Sequence, residues 1–212
     1  MAGTNGRFIT LEGGEGAGKS TQIRFLADHL RRQGIDVAMT REPGGSPGAE
    51  LIRKLLVEGP GDAWDGTTEA LLMFAARRDH LERTIRPALA RGQWVISDRF
   101  ADSTRAYQGY GHGFAHERIE ALYQLAVGDF APDLTLILDL PVETGLARAA
   151  VRHGTEHRFE SLGQVFHQRV RDGFRAIAAA EPQRCVLIDA DAPIETVRDR
   201  VLQAVTQRLG VG

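Results

Sequence analysis

The sequence lacks several features that exported, disulfide-bonded and membrane-spanning proteins require. Its single cysteine, Cys185, has no partner with which to form an internal disulfide. No apolar run approaches the roughly 18 residues of a membrane span, and the N-terminus has no hydrophobic segment of signal-peptide length. The formal net charge is only −2, so the composition gives no general attraction to nucleic acid or to anionic membranes. We therefore expect a cytoplasmic protein that binds neither nucleic acid nor a membrane.

The sequence does have enough apolar residues, 42% of 212, to form a substantial core in a single domain spanning residues 1–212. Five short apolar runs predict strands that are covered on both faces, namely Phe8–Leu11, Val37–Thr40, Trp94–Ser97, Leu134–Leu138 and Cys185–Ile188. Helical spacing occurs in Thr21–Arg32, Pro47–Glu58, Thr68–Arg91, His116–Val127, Val142–Arg152, Leu162–Ala180 and Pro193–Leu209. This alternation predicts an α/β fold with a five-stranded parallel sheet and helices on both of its faces.

A charged residue directly follows each predicted strand. These residues are Glu12, Arg41, Asp98, Asp139 and Asp189. Ligands of open α/β sheets bind at the carboxyl ends of the strands, so we expect these side chains to face one cleft. Pro87 lies inside the longest predicted helix, where it should bend or interrupt the helix.

A phosphate-binding loop follows the first predicted strand. The run Gly13-Gly14-Glu15-Gly16-Ala17-Gly18-Lys19-Ser20-Thr21 fits the pattern G-x-x-x-x-G-K-[ST] between a strand and a helix. Glycines let backbone N–H groups converge on an anion, and the helix N-terminus favours negative charge there. Lys19 can reach the β- and γ-phosphates, and the Ser20 hydroxyl can bind Mg²⁺. The alternative is a structural glycine-rich turn. The filled positions and correct flanks favour a nucleoside triphosphate site.

Three further clusters bear on the reaction. Asp98 and Arg99 follow the third predicted strand. There the acid can hold Mg²⁺ and the guanidinium can bind a second phosphate; the alternative is a surface ion pair. The run Thr40–Gly45 is either a turn over the cleft or a turn without function. The segment Arg148–Glu160 is rich in arginine, and it is either a lid that closes over the transferring phosphoryl group or a solvated connection.

Several motifs together resemble the thymidylate kinase family. The run Asp98–Gly109 is similar to the family signature D-R-[YF]-x-x-S-x-x-A-Y-Q-G, with Phe100 in the aromatic position. The resemblance also covers the phosphate loop, Arg41–Gly45, Met73–Arg78 and the segment ending at Glu160, in the family's order. It implies a P-loop kinase fold with a mobile lid at about residues 148–160. It also implies transfer of a phosphoryl group from ATP, with Mg²⁺, to dTMP, giving dTDP for dTTP synthesis and DNA replication.

The resemblance assigns a role to individual residues. Residues 13–21 would hold ATP, with Ser20 and Asp98 on the metal and Lys19 and Arg99 in catalysis. Phe74 would stack on thymine, although helical spacing alone favours a core position, and Arg78 would donate to a thymine carbonyl. The remaining acceptor residues would be Glu12, Glu42, Pro43, Arg53, Arg99, Ser103, Thr104, Tyr107 and Gln108. Relatives of this family are usually homodimers, so we expect a homodimer.

The phosphate loop has no basic residue at its variable positions, which is typical of the bacterial type with lid arginines. Arg152 and Arg158 are therefore the candidate catalytic arginines of the lid. His157 stands where the family usually has aspartate, and Ala150 where many relatives have arginine. These departures leave open which of the two arginines contacts the transferring group.

Two other functions remain compatible with the sequence. One is a kinase of the same architecture that acts on another nucleoside monophosphate or on a nucleoside. The other is a nucleotide-dependent switch that hydrolyses slowly, but no Asn-Lys-x-Asp run for reading guanine is present.

Overall fold

The computed structural model describes residues 6–58, 63–151 and 162–211. Its sheet consists of β1 (Phe8–Gly13), β2 (Val37–Arg41), β3 (Trp94–Asp98), β4 (Leu134–Asp139) and β5 (Cys185–Asp189). All strand pairs are parallel, and the spatial order is β2-β3-β1-β4-β5. The predicted five-stranded parallel sheet is confirmed, and each strand starts at the residue that the sequence predicted.

Helices connect the strands. The chain forms α1 (Lys19–Arg32), α2 (Pro47–Val57), α3 (Gly66–His80), α4 (Arg86–Ala90), α5 (Ala101–Thr104), α6 (His116–Ala126), α7 (Val142–Ala150), α8 (Gln164–Ala180) and α9 (Ile194–Leu209). Two wider π-helical stretches, Leu81–Ile85 and Arg105–Gly111, continue α3 and α5. The short α5 and the π-helical stretch after it lie where the sequence predicted no helix.

Pro87 interrupts the long helix in the way that its chemistry dictates. Proline has no backbone N–H, and its ring crowds the carbonyl of the preceding turn. The structure accommodates this with the π-helical stretch Leu81–Ile85, which lies between α3 and α4 and ends two residues before the proline. The extra residue in this turn is a recognised way to relieve such a clash.

Alternating side chains of the strands are buried on the two faces of the sheet. On one face Ile9 and Ile96 pack against α1 and α9 through residues such as Leu26 and Val201. On the other face Phe8 and Val95 pack against Leu81, Phe100 and the neighbouring helices. A third cluster joins β4 to α8. Helices therefore cover both faces, as predicted, and leave the carboxyl ends of β1 and β3 for a site.

No helix among the described residues combines the length and the apolar character needed to cross a bilayer. Of the predicted lid at 148–160, the structure describes residues 148–151, in which α7 ends. Arg152, His157 and Arg158 lie outside the described residues.

Candidate active site

The phosphate loop occupies the turn between β1 and α1. Gly16 and Gly18 have left-handed backbone conformations, with φ of 69° and 90°, and α1 begins at Lys19. A Cβ on Gly16 would lie 2.0 Å from the Gly145 carbonyl oxygen of α7, so only glycine fits there. The loop thereby brings the N-terminus of α1, with its free N–H groups, to the carboxyl edge of the sheet.

Lys19 folds back on this loop. Its Nζ donates to the carbonyl oxygens of Gly13 and Gly14 at 3.1 and 3.0 Å. Burial, followed by the charge of Arg99, lowers the pKa of Lys19 to about 8, against the opposing influence of nearby carboxylates. An amine held in this state gains most from a bound anion, because the anion restores the charge that burial disfavours.

The structure brings the two predicted metal ligands together. Ser20 Oγ donates to Asp98 Oδ2 at 3.1 Å, and Asp98 Oδ1 is buried with no hydrogen-bond partner among the described residues. A hydroxyl beside an unsatisfied carboxylate oxygen suits Mg²⁺, which takes oxygen ligands and usually shares them with phosphate and water. The described residues contain no cluster of three or more His, Cys, Asp or Glu for a metal held by protein alone. The residues present therefore fit a magnesium ion bound jointly with a triphosphate.

Arg99 follows β3 in a left-handed conformation, with φ of 72°. This backbone is unfavourable for a residue with a side chain and requires support from its surroundings. Its Nη1 donates to the Gly13 carbonyl and to Ser103 Oγ, both at 3.1 Å, and its Nη2 donates to Glu15 at 2.9 Å. The guanidinium therefore lies against the phosphate loop, between the loop and the start of the helix that carries Ser103.

Glu15 is a partner of Arg99 that the sequence did not identify as such. Its Oε1 accepts from Arg99 Nη2 and, at 2.7 Å, from the Tyr107 hydroxyl. Burial would raise its pKa, but Arg99 and then Lys19 lower the pKa of Glu15 to about 2. The sequence offered one signal for this role: a carboxylate stands at a variable position of the phosphate loop, where the motif requires no charged residue. Glu15 is thus a fixed negative charge inside a cationic site.

Glu12 is engaged inside the protein, and its predicted contact with the acceptor stays a prediction that this position does not favour. The side chain is fully buried. One carboxylate oxygen accepts from the Phe100 backbone N–H at 2.6 Å, and the other accepts from Ser103 Oγ at 2.5 Å. Burial, and then the charge of Asp102, raises the pKa of Glu12 to about 8. Glu12 therefore holds the turn that follows Arg99, and Ser103 is engaged between Glu12 and Arg99.

Arg77, and not its neighbour Arg78, enters the interior beside the cleft. Arg78 is half-exposed and pairs with Glu82 at 2.9 Å, so its predicted contact with thymine stays a prediction that this geometry does not favour. Arg77 is 2% exposed, and its Nη2 donates to the Phe100 carbonyl and to Thr104 Oγ1 at 3.0 and 3.1 Å. Its Nη1 is buried with no hydrogen-bond partner among the described residues.

Phe74 packs in the core, and its predicted role in stacking on thymine stays a prediction that this position does not favour. Its ring is 3% exposed and packs in the cluster around Phe8 and Phe100. The Arg77 guanidinium lies over the ring, 4.7 Å from its centre. The core position that helical spacing alone favoured is the one that the structure shows.

Gln108 is held with one polar atom unsatisfied. Its Nε2 donates to Glu69 Oε1 at 2.6 Å, while its Oε1 is buried without a partner among the described residues. Thr104, one helical turn earlier, carries the hydroxyl that Arg77 contacts. The described part of the site therefore contains an unpaired donor on Arg77 and an unpaired acceptor on Gln108.

The turn after β2 contacts both Arg53 and Arg77. The Glu42–Pro43 peptide bond is cis, and Arg53 Nη1 of α2 donates to the Pro43 carbonyl at 2.6 Å. Glu42 is buried and accepts from Arg77 Nε at 2.8 Å. The turn and Arg53 are thus joined to each other and, through Glu42, to Arg77.

Not every charged residue at a strand end serves this cleft. Arg41 pairs with Glu50 at 3.1 Å, and Asp189 pairs with Arg200 at 2.9 Å, both on exposed surface. Asp139 binds Arg171 and Arg175, each at 2.7 Å. The expectation that all five residues face one cleft is therefore wrong for Arg41 and Asp189, which pair with residues of neighbouring helices instead.

Comparison with known proteins identifies the family of this chain. The family model described as thymidylate kinase matches residues 11–201. A thymidylate kinase of Caulobacter vibrioides is 60% identical over 208 residues, covering 98% of this chain and 100% of its own length. One of Rhodopseudomonas palustris is 59% identical, covering 96% of this chain and 90% of its own length. The crystal structure of thymidylate kinase from Ehrlichia chaffeensis superposes with a TM-score of 0.76 at 37% identity, covering 95% of this chain and 99% of that one. This chain belongs to the thymidylate kinase family.

Proposed function

We propose that this cleft transfers the γ-phosphoryl group of ATP to dTMP, and that its residues divide between the two nucleotides. The activity is that of the family, and dTDP is the precursor of dTTP, so the reaction serves DNA precursor synthesis. The observation that carries the division of residues is that the described part of the site holds both an unpaired buried donor, Arg77 Nη1, and an unpaired buried acceptor, Gln108 Oε1.

On the donor side, the loop from Gly13 to Thr21 holds the ATP phosphates through backbone N–H groups and Lys19. Ser20 and Asp98 would hold Mg²⁺, which when bound neutralises phosphate charge and fixes the phosphate geometry. Lys19 would exchange the carbonyl oxygens of Gly13 and Gly14 for phosphate oxygens. This exchange replaces neutral acceptors with charged ones and strengthens the hydrogen bonds of the amine.

The acceptor phosphate would bind between Arg99 and Arg53. Arg99 is rigid, because the Gly13 carbonyl, Ser103 and Glu15 hold its guanidinium. Arg53 is joined to the turn at Pro43. A rigid guanidinium beside the phosphate loop can place the acceptor oxygen in line with the γ-phosphate, which is the main requirement of phosphoryl transfer.

The pyrimidine would bind Arg77 and Gln108. Thymine has a ring N–H next to carbonyl oxygens, so it can donate to Gln108 Oε1 and accept from Arg77 Nη1. Cytosine has an amino group and an unprotonated ring nitrogen at the matching positions, and it would leave both protein atoms unpaired. Unpaired buried polar groups are costly, which favours dTMP over dCMP. Thr104 fixes Arg77, and Met73, one helical turn before Arg77 and partly exposed, would contact the ring.

The reaction needs no general base among these residues. The acceptor is a phosphate oxygen that is already anionic near neutral pH, so positioning and charge neutralisation suffice. Arg152 and Arg158 would supply the lid's positive charge to the transferring group. Tyr107, held by Glu15, would lie against the sugar and disfavour a 2′-hydroxyl.

At the level of the whole chain, we propose one nucleotide kinase domain spanning residues 1–212, a cytoplasmic location and a homodimer. These follow from the family resemblance. Exposed leucines on α2 and α3, Leu51, Leu55 and Leu71, offer apolar surface for the dimer.

The test is a coupled assay with ATP and a panel of acceptors: dTMP, dUMP, dCMP, UMP and thymidine. We expect dTMP to have the highest kcat/KM and dCMP to be rejected by a factor of about 100 or more. A preference for UMP, for dCMP or for unphosphorylated thymidine would contradict the proposal. Phosphate release from ATP without any phosphorylated acceptor would point to a switch protein instead.

A further inference from the structure

A buried chain of hydrogen-bonded polar side chains leads from β2 to Arg77. The contacts proposed for the two nucleotides give a role to only some of its members. Thr40 Oγ1 lies 2.6 Å from His80 Nε2, and His80 Nδ1 lies 3.0 Å from Glu42 Oε1. The other oxygen of Glu42 accepts from Arg77 Nε at 2.8 Å. His80 has no exposed surface, and Glu42 and Arg77 are 6% and 2% exposed. A histidine ring that solvent does not reach therefore stands behind the arginine that faces the base.

The ion pair at the end of this chain fixes the direction of its hydrogen bonds. Arg77 is permanently charged, and a carboxylate paired with a guanidinium can only accept hydrogen bonds. The hydrogen between His80 and Glu42 must therefore reside on Nδ1 of His80. Nε2 of the ring then meets the hydroxyl of Thr40, which can rotate to suit it.

The turn after β2 is shaped around this ring. Gly45 has φ of 84°, and a Cβ there would lie 2.4 Å from both His80 Nε2 and Thr40 Oγ1. Thr84, one helical turn after His80, donates to the Gly45 carbonyl at 2.7 Å. The glycine that the sequence explained only as a turn residue thus also leaves room for the contact between His80 and Thr40.

The contact between His80 and Glu42 decides how Glu42 holds Arg77. A carboxylate facing an arginine usually binds two nitrogens of the planar fork. Here it binds Nε alone, because its second oxygen is occupied by His80. Without His80, that oxygen would be a buried acceptor without a donor. It would turn toward Nη2 of Arg77 and compete with Thr104, which tilts the guanidinium plane.

We propose that His80 is a positioning residue for pyrimidine recognition, which acts through Glu42 to hold Arg77 with Nη1 directed at the base. The proposal rests on the proposed function, in which Arg77 reads the base. His80 does not touch the nucleotide. It sets the orientation of the side chain that does.

Two matched variants test this, His80→Asn and His80→Gln. They carry the same amide on stems that differ by one methylene group. The Asn amide reaches the position of Nδ1 and can still donate to Glu42, whereas the Gln amide reaches the position of Nε2 and can contact only Thr40. We expect His80→Gln to raise KM for dTMP about tenfold and to lower the preference for dTMP over dCMP. We expect His80→Asn to stay within about threefold of the wild type and both variants to leave KM for ATP unchanged.

The ranking of the variants separates positioning from packing. Gln fills the space of the ring better than Asn, so a loss of packing alone would make His80→Asn the worse variant, and that ranking would overturn the proposal. Thr84→Val is the control for the turn, because it removes the hydrogen bond to Gly45 and leaves Glu42 untouched. If Thr84→Val raises KM for dTMP as much as His80→Gln does, the anchoring of the turn, and not the contact between His80 and Glu42, controls dTMP binding, and the proposal fails.

A combination with Arg77→Lys distinguishes this proposal from the one on which it rests. If Arg77→Lys leaves dTMP recognition intact, the proposed base contact is wrong. If Arg77→Lys impairs it while His80→Gln does not, only the positioning role of His80 is wrong. If both variants impair dTMP recognition, adding His80→Gln to Arg77→Lys should raise KM for dTMP little further, because the two residues act through one contact.

Discussion

At the scale of single residues, the site depends on side chains whose neighbours come from distant parts of the chain. Glu12 is 88 residues from the Phe100 N–H and 91 residues from the Ser103 hydroxyl that it accepts from. Arg77 is fixed by Glu42 and Thr104, which lie on different elements. These contacts hold the guanidinium groups of Arg77 and Arg99 in place and lead to two predictions.

Replacing Arg77 should impair dTMP recognition, whereas the same change at Arg78 should not. Arg77→Lys keeps the charge that Glu42 needs and removes the fork that presents Nη1. We expect KM for dTMP to rise about tenfold or more, with KM for ATP unchanged. Arg78→Lys, on the exposed side of α3, should stay within about twofold. Steady-state kinetics decide this, and an effect of Arg78→Lys equal to that of Arg77→Lys would refute the assignment.

Glu12 should make stability depend on pH. Its pKa is raised to about 8 in the folded protein, from 4.5, so the folded state binds a proton that the unfolded state releases between these values. Its contribution to stability is therefore complete below pH about 4.5 and is lost as the pH rises through about 8. Relative to Glu12→Gln, the wild type should lose at most about 1.4 kcal/mol per pH unit in this window. Urea unfolding at pH 5.5, 7 and 8.5 measures the difference. If the free energies of unfolding of the wild type and of Glu12→Gln change with pH in parallel, the prediction is wrong.

At the scale of elements, the phosphate loop and the strands were predictable because their signals are local. A strand, a glycine loop and a helix are consecutive in sequence, and each strand is a short apolar run. The choice between Arg77 and Arg78 was not predictable in this way. One residue turns a helical side chain by about 100°, and the tertiary neighbours that decide which of the two arginines faces inward are not written in α3 itself. Likewise the glycines from Gly109 to Gly113 resemble a loop, but the helix continues to Gly111.

The phosphate loop should lose its function without losing its fold when its lysine is removed. Lys19→Ala should lower kcat by a factor of about 100 or more, because a charged donor at the transferring phosphates is lost. The melting temperature should change little, since the buried amine is already disfavoured in its charged form. Lys54→Ala, at the other lysine of the chain, is the surface control and should leave kcat unchanged. Near-normal turnover by Lys19→Ala would refute the assignment of the loop.

The packing of α8 on the π-helical stretch should make Gly111 intolerant of any side chain. A Cβ on Gly111 would lie 2.6 Å from the Phe166 ring and 3.0 Å from Val170. We expect Gly111→Ala to destabilise the protein by about 1–3 kcal/mol. Gly66→Ala, where no atom lies within 4 Å, should be neutral or stabilising by up to about 1 kcal/mol. Chemical denaturation of both variants measures this, and equal stabilities would show that α8 can move away from Gly111.

At the scale of the whole molecule, the fold explains why the proposed sites of the two nucleotides lie at one edge of the sheet. The chain crosses to opposite sides of β1 when it forms β3 and β4, which opens a crevice at the carboxyl ends of the sheet. The phosphate loop and Arg99 lie side by side there. The order of strands and helices in the sequence predicted this edge. It did not predict the internal anion of Glu15 or the inward face of α3, which depend on contacts between elements.

The proposed homodimer gives a prediction at this scale. Leu51 and Leu55 are one helical turn apart on α2, and the two residues are 66% and 50% exposed. We expect the wild type to sediment as a dimer and the double variant Leu51→Asp, Leu55→Asp to sediment as a folded monomer. A wild type that sediments as a monomer at micromolar concentration would contradict the dimer. A double variant that remains dimeric would place the interface elsewhere.

A crystal structure of the protein with dTMP and a non-hydrolysable ATP analogue would decide whether the two nucleotides bind as proposed. We predict that the triphosphate lies on the loop at Lys19 and the acceptor phosphate on Arg99. We also predict that thymine accepts from Arg77 Nη1 and donates to Gln108 Oε1. A dTMP molecule whose base lies against Arg78, or away from both Arg77 and Gln108, would contradict this arrangement.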